Sequence, residues 1–199
     1  THHGVFDISY LISMPNLMIF APSDRRELEE MLAFAVSFDG PIAIRYPRGS
    51  AHQGLREYQA PVEYGRSEII RKGKKIAVLG VGSMIPSCME ICKGLKDDGY
   101  DPTFVNARFV KPLDVDLLDE LAKDHSLFVT VEENVKSGGY GEHVSAYMEA
   151  CHPEIRVLSA AVWDRFVPQG NVESLRSRIG LGVEDIRQAI EDSEELREQ

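Results

Sequence analysis

The sequence has 199 residues, of which 43% are hydrophobic and 27% charged. These are ordinary globular proportions, and a chain of this length buries roughly 70% of its unfolded surface without staples. The formal net charge of −10 repels phosphate backbones and argues against a nucleic-acid partner. No stretch approaches the roughly 20 apolar residues of a membrane-spanning helix, and no basic segment followed by an apolar run marks a secretory leader. Because the first residue is Thr, the natural N-terminus, with any targeting segment, is expected to lie upstream.

In chain order, the apolar pattern predicts a strand over 17–20 and an amphipathic helix over 24–38. That helix is opened by Asp24-x-x-Glu27 and lined by Leu28, Met31, Leu32 and Ala35. A second strand is predicted over 42–45. Two strands and a helix or two cannot close a core, so residues 1–50 read as the tail of a domain whose front half is missing. Residues 49–61 carry Gly, Pro, His and Gln without periodicity and read as a linker. The expected division is 1–50, a linker over 51–66, and a second domain over 67–199.

From residue 74 strands and helices alternate. Strands are predicted over 75–80, 103–107, 127–131 and 155–159, and helices over 83–98, 114–123, 141–151 and 183–196. Residues 67–71 suggest an extra edge strand, paired with 75–80 through a Lys72-Gly73 turn. Short apolar strands separated by helices imply an α/β fold with a mostly parallel, doubly wound sheet, which binds ligands at the carboxyl ends of its strands. The acidic run 184–198 reads as a solvated helix face. Cys88 and Cys92 share a helix face; with Cys151 they make an odd count, so buried reduced thiols in a reducing compartment are expected.

Four short motifs are candidates for chemistry. Gly80-Val81-Gly82 follows a strand but lacks the third glycine of a dinucleotide fingerprint, so it reads as a strand-to-helix turn. Gly138-Gly139-Tyr140-Gly141 precedes a helix without a P-loop lysine, and a tight turn is favoured over an anion cradle. Thr1-His2-His3-Gly4 places adjacent histidines in a polar stretch, and a histidine passes protons near neutral pH. Arg45-Tyr46-Pro47-Arg48-Gly49 lies just past a buried strand, where a guanidinium can hold a phosphate or carboxylate with paired hydrogen bonds. An interdomain salt bridge is the alternative there, and the two arginines can divide the roles.

THHGVFDISYL, RYPRG, RFVKPLD, VTVEEN followed by GGYG, and RFVPQG occur in that order. Together they resemble the 1-deoxy-D-xylulose-5-phosphate synthase family, transketolase-like enzymes that use thiamine diphosphate. The resemblance spans nearly the whole chain and implies the C-terminal part of a pyrimidine-type thiamine-diphosphate domain followed by a transketolase C-terminal-like domain. It further implies a transferase of isoprenoid-precursor and thiamine biosynthesis that condenses pyruvate with D-glyceraldehyde 3-phosphate and releases CO2. His2 takes the position of the catalytic histidine, and Arg48 that of the arginine reaching the acceptor phosphate. Asp7 and Tyr10 look structural, and Lys111, Glu132 and Glu133 are expected in interface or packing roles.

The family holds its diphosphate and Mg²⁺ through a GDG…N motif, and its activating glutamate precedes the histidine motif; this sequence carries neither. The resemblance therefore implies a fragment that is inactive by itself and lacks its own cofactor and metal sites. Its expected partners are the missing N-terminal part of the chain and, in a homodimer, a second copy; its expected setting is the cytoplasm or a plastid stroma. Two alternatives stand beside this reading: a piece like the β subunit of a 2-oxoacid dehydrogenase, and a non-catalytic assembly or regulatory module.

Overall fold

The computed structural model describes residues 3–48, 52, 55 and 60–193. After a single 3₁₀ turn at Gly4–Phe6, the chain forms α1 (Asp7–Ile12), β1 (Met18–Phe20), α2 (Arg25–Ser37) and β2 (Ile42–Ile44). There follow β3 (Glu68–Arg71), β4 (Lys75–Gly80), α3 (Ile85–Asp97), β5 (Thr103–Asn106) and β6 (Phe109–Lys111). The remainder comprises α4 (Val115–Leu121), β7 (His125–Val135), α5 (Tyr140–Cys151), β8 (Arg156–Val162), α6 (Val172–Arg178) and α7 (Val183–Glu191).

The larger sheet has the order β3-β5-β4-β7-β8. The pairings β4–β5, β4–β7 and β7–β8 are parallel, and β3 joins antiparallel at the edge. Alternation along β4 shows why both faces are covered. Ile76 and Val78 pack with α3 and α7 through Cys88, Ile91, Leu95, Ile186 and Ile190. Ala77 and Leu79 point the other way, toward Leu118 of α4 and Val144 and Met148 of α5. Each buried Val, Leu, Ile or Met among them contributes roughly 1.5–3 kcal/mol on leaving water. Cys88 and Cys92 are buried free thiols inside the first of these layers.

The edge strand forms as predicted but pairs differently. β3 lies against β5, with Glu68 opposite Asn106, and makes no hairpin with β4. The crossover through α3 delivers β5 into the place beside β4 that such a hairpin would have filled. The chain leaving β3 then passes over the start of β5: the Gly73 amide donates to Thr103 Oγ1 at 2.9 Å. A Cβ on Gly73 would lie 2.1 Å from the Asp101 carbonyl oxygen, so only glycine permits this passage.

The smaller sheet has the order β2-β1-β6. β1 and β2 are parallel, whereas β6, which arises far along the chain, runs antiparallel to β1. Its core is Met18, Phe20, Met31 and Phe109, with the Phe20 and Phe109 rings 4.7 Å apart and tilted by 71°. The cap of α2 is as predicted, since Asp24 accepts the Glu27 amide at 2.8 Å. The buried face of the helix is rotated from the expected one. Met31 is fully buried, but Leu32 is 50% exposed, and Glu27 takes an inward position.

That rotation has a chemical cause. The Arg108 side chain, 1% exposed, places Nε 2.5 Å from Glu27 Oε1 and Nη2 2.7 Å from Glu68 Oε2. It also donates to the carbonyls of Pro61 and Ala60, and Asn106 donates to Glu27 at 2.9 Å. A buried charge requires partners of this kind, and this cluster ties α2, β3 and the β5–β6 turn into one block. Helices α1 and α6 and strand β6 are three further elements that the apolar pattern does not signal.

Candidate functional site

Both sheets turn the carboxyl ends of their parallel strands toward one cleft of about 870 Å³. The smaller sheet contributes Pro22 to Asp24 after β1 and Arg45 to Arg48 after β2; the larger contributes Ser83 after β4 and Glu133 from β7. The chain leaves β4 for β5 on one side and β7 for β8 on the other, so the crevice between β4 and β7 is the topological switch point of the sheet. This is where open α/β sheets hold ligands.

Two ion pairs fix the cleft walls. Arg45 places Nε 2.8 Å from Asp7 Oδ1, and its Nη2 donates to the carbonyls of Gly4 at 3.1 Å and Glu133 at 2.9 Å. Glu133 accepts from Ser83 Oγ at 2.9 Å and pairs with Arg176 Nε at 3.1 Å. Arg48 is exposed on the cleft wall and makes no ion pair among the described residues. It therefore retains a charge and donor set for an incoming anion.

The EEN stretch at the end of β7 is structural in detail. Buried Asn134 accepts the Ile8 amide at 3.2 Å and donates to Ser9 Oγ at 2.8 Å, holding α1 against the sheet. The buried Glu132 carboxylate accepts the amides of Tyr140 and Gly141 at 2.9 and 2.8 Å. The amides of the first turn of α5 thus already have an acceptor supplied by the protein, in keeping with a tight turn at Gly138–Gly141. A Cβ on Gly139 would sit 2.7 Å from Glu132 Oε1. Burial pushes the Glu132 carboxyl up to about 7, outweighing the opposing pull of the two amides. Lys111 donates to the carbonyls of Ile12 and Met14 at 2.9 and 2.6 Å, closing the C-terminal end of α1.

Of the two sequence-derived site residues, Arg48 lies on the cleft wall, while His2 falls outside the described residues. Its neighbour Gly4 lines the same cleft. The exposed His3 ring meets Phe6 and Phe166, with centroids 6.3 and 5.9 Å away. Asp7 is engaged by Arg45, so its role is structural; Tyr10 is exposed. Sequence reasoning did not single out Ser83 or Arg176. The turn after β4 pointed to Ser83, but no local pattern marks Arg176.

A family-implied Mg²⁺-diphosphate would need free carboxylates. The acidic groups lining the cleft are Asp7, Asp24 and Glu133, and each is committed: to Arg45, to the α2 cap, and to Ser83 with Arg176. Among the described residues no group of three or more His, Cys, Asp or Glu side chains is arranged to hold a metal ion. The described residues lining this cleft therefore do not fit that group.

A two-sheet α/β fold with its cleft at the joined strand ends has the architecture of transketolase-type proteins. The chain belongs to the transketolase family: residues 65–186 match the family model "Transketolase, C-terminal domain", and residues 1–53 match "Transketolase, pyrimidine binding domain". That family depends on thiamine diphosphate. The chain is 43% identical over 187 residues to 1-deoxy-D-xylulose-5-phosphate synthase of Lachnoclostridium phytofermentans, covering 94% of this chain and 30% of that protein. The synthase of Dictyoglomus thermophilum is 41% identical over 191 residues, or 96% of this chain and 31% of the relative. The chain thus spans under a third of the length of these relatives. A solved split-gene transketolase, described as an inactive β4 tetramer, superposes with a TM-score of 0.86 at 27% identity, covering 97% of this chain and 61% of that one. Transketolase from Campylobacter jejuni shares the fold, with a TM-score of 0.69 at 19% identity over 94% of this chain and 28% of that one.

Proposed function

We propose that this chain is the C-terminal portion of a 1-deoxy-D-xylulose-5-phosphate synthase, forming the acceptor-side wall of a cleft in which pyruvate and D-glyceraldehyde 3-phosphate condense with loss of CO2. The observation that carries the reading is the placement of Arg48. A guanidinium with no ion pair among the described residues stands at the carboxyl ends of the strands, in the cleft that the histidine-bearing turn also borders. Thiamine diphosphate, when bound, supplies the carbanion chemistry; this chain supplies orientation and charge. Arg48 anchors the aldehyde through its phosphate, and His2 moves a proton at the reacting oxygens.

The pyrimidine-type segment over 1–50 and the C-terminal domain over 67–199 divide these tasks, with 51–66 between them. Cofactor and Mg²⁺ are held by polypeptide upstream, so the isolated chain is inactive. The description of the split-gene β chain as an inactive tetramer supports this and supports self-association, with a homodimer as the assembly of the parent enzyme. The buried free thiols Cys88 and Cys92 suit a reducing compartment such as the cytoplasm.

The test is steady-state kinetics on the full-length parent. Arg48→Ala is expected to raise KM for D-glyceraldehyde 3-phosphate about a hundredfold, on the order of 3 kcal/mol, with KM for pyruvate within a few-fold of the wild type. An unchanged acceptor KM removes Arg48 from the phosphate.

A further inference from the structure

The two arginines of RYPRG, three residues apart, stand in different environments. Arg48 faces the cleft. Arg45 also borders the cleft, but its side chain is largely withdrawn from solvent and ties the end of β2 to three other places: the Gly4 turn, Asp7 at the start of α1, and the end of β7. We infer that Arg45 is a positioning residue, which holds the turn at Gly4–Phe6 at a fixed separation from Arg48 across the cleft. The inference rests on the proposed function for what His2 does, but the grip itself is independent of that reading.

The geometry argues for this in three ways. First, Arg45 Nη2 donates at 3.1 Å to the carbonyl of Gly4, which follows the two adjacent histidines directly in the sequence. Second, the same Nη2 donates at 2.9 Å to the carbonyl of Glu133, whose carboxylate is itself held by Ser83 and Arg176. The clamp is therefore referenced to the switch point of the larger sheet. Third, the Nε–Asp7 bond at 2.8 Å fixes the plane of the guanidinium at the start of α1, and α1 is docked separately through Asn134. Asp7 therefore keeps its place without Arg45, whereas the turn before it has Arg45 as its link to β2. A planar fork with diverging N–H groups makes these bonds together; a lysine ammonium, a single point on a flexible stem, cannot reproduce them.

The experiment uses the full-length parent carrying Arg45→Lys, with Arg48→Ala in parallel. Two readings are taken: kinetics with pyruvate and D-glyceraldehyde 3-phosphate, and amide hydrogen exchange over residues 3–9. For Arg45→Lys, kcat is expected to fall about tenfold to a hundredfold, the scale of a misplaced reacting group. Acceptor KM should stay within threefold, and exchange at residues 3–9 should rise at least tenfold while β4 and β7 keep their protection. Arg48→Ala is expected to show the opposite split, with KM raised and exchange unchanged. If Arg45→Lys fails to fold, Asp7→Asn, which removes the charge while keeping the shape, takes its place with the same signs and smaller size. Raised acceptor KM with unchanged kcat makes Arg45 a ligand for the substrate and overturns the inference; so does unchanged exchange at residues 3–9. A parent with no activity on the two substrates, but with exchange raised as described, sinks the proposed reaction and leaves the clamp standing.

Discussion

The buried arginine between the two sheets allows a sharp test of what holds this molecule together. Arg108→Met keeps a side chain of comparable length and removes the charge. It leaves Glu27 and Glu68, 1% and 7% exposed, without their cation, and the carbonyls of Ala60 and Pro61 without their donor. Each carboxylate keeps other partners, Asn106 and the Ser23 amide for Glu27 and the Ala60 amide for Glu68, so neither is stripped bare. The gross attraction of one such pair near 2.6 Å is about 6 kcal/mol at an effective dielectric of about 20, and much of it offsets desolvation. Breaking a buried pair costs about 3–5 kcal/mol, a large part of a typical total stability of about 5–15 kcal/mol. The expected loss is therefore about 3–5 kcal/mol at pH 8, read from urea unfolding of this chain. Arg25→Ala is the internal control: its pair with Glu29 is 71% and 61% exposed, so solvent screens it and its loss should leave the unfolding midpoint unchanged. A loss for Arg108→Met below about 1 kcal/mol, against the roughly 3–5 kcal/mol expected for a broken buried pair, would refute the reasoning.

Two other outcomes follow from the same kind of accounting. Because the Glu132 carboxyl is raised from 4.5 to about 7 in the fold, the folded state binds the extra proton between those values. Its contribution to stability is present below about pH 4.5 and is lost as pH rises through about 7. Glu132→Gln should therefore gain on the wild type by on the order of 3 kcal/mol between pH 4.5 and 8, measured as the change in their unfolding difference; a pH-independent difference contradicts the raised value. Gly73→Ala forces a methyl against the Asp101 carbonyl and is expected to cost at least about 2 kcal/mol in the same assay, with neutral behaviour refuting the close crossing of β3 over β5.

Much of the fold was legible because burial obeys period. β4, β5, β7 and β8 are apolar runs covered on both faces, and α3 repeats Cys88, Ile91, Cys92 and Leu95 at helical spacing, so local pattern and tertiary place agree. The failures occur where a long-range partner decides. Periodicity turned the α2 face toward Leu32 because it treats a glutamate as outward; Glu27 is inward because an arginine 81 residues later meets it. The pairing of β3 was misjudged because a short turn suggests a hairpin, whereas the crossover through α3 had already assigned the neighbouring place to β5. β6 is three residues long and is stabilised by β1, which no local window contains.

The ordered motifs were informative for a reason that the contacts now make plain: they are largely one another's partners. Asp7 and Gly4 of the first are held by Arg45 of the second; Lys111 of the third closes the helix of the first. Asn134 of the fourth docks that same helix, and Phe166 of the fifth stacks edge-on against His3 and Phe6. Segments scattered over the chain thus converge on α1 and the turn that precedes it. Such convergence is costly to maintain for packing alone, since a short exposed turn contributes little apolar burial. Under the proposed function it is what a site requires, since one group on that turn would have to stand at a fixed distance from Arg48 across an open cleft.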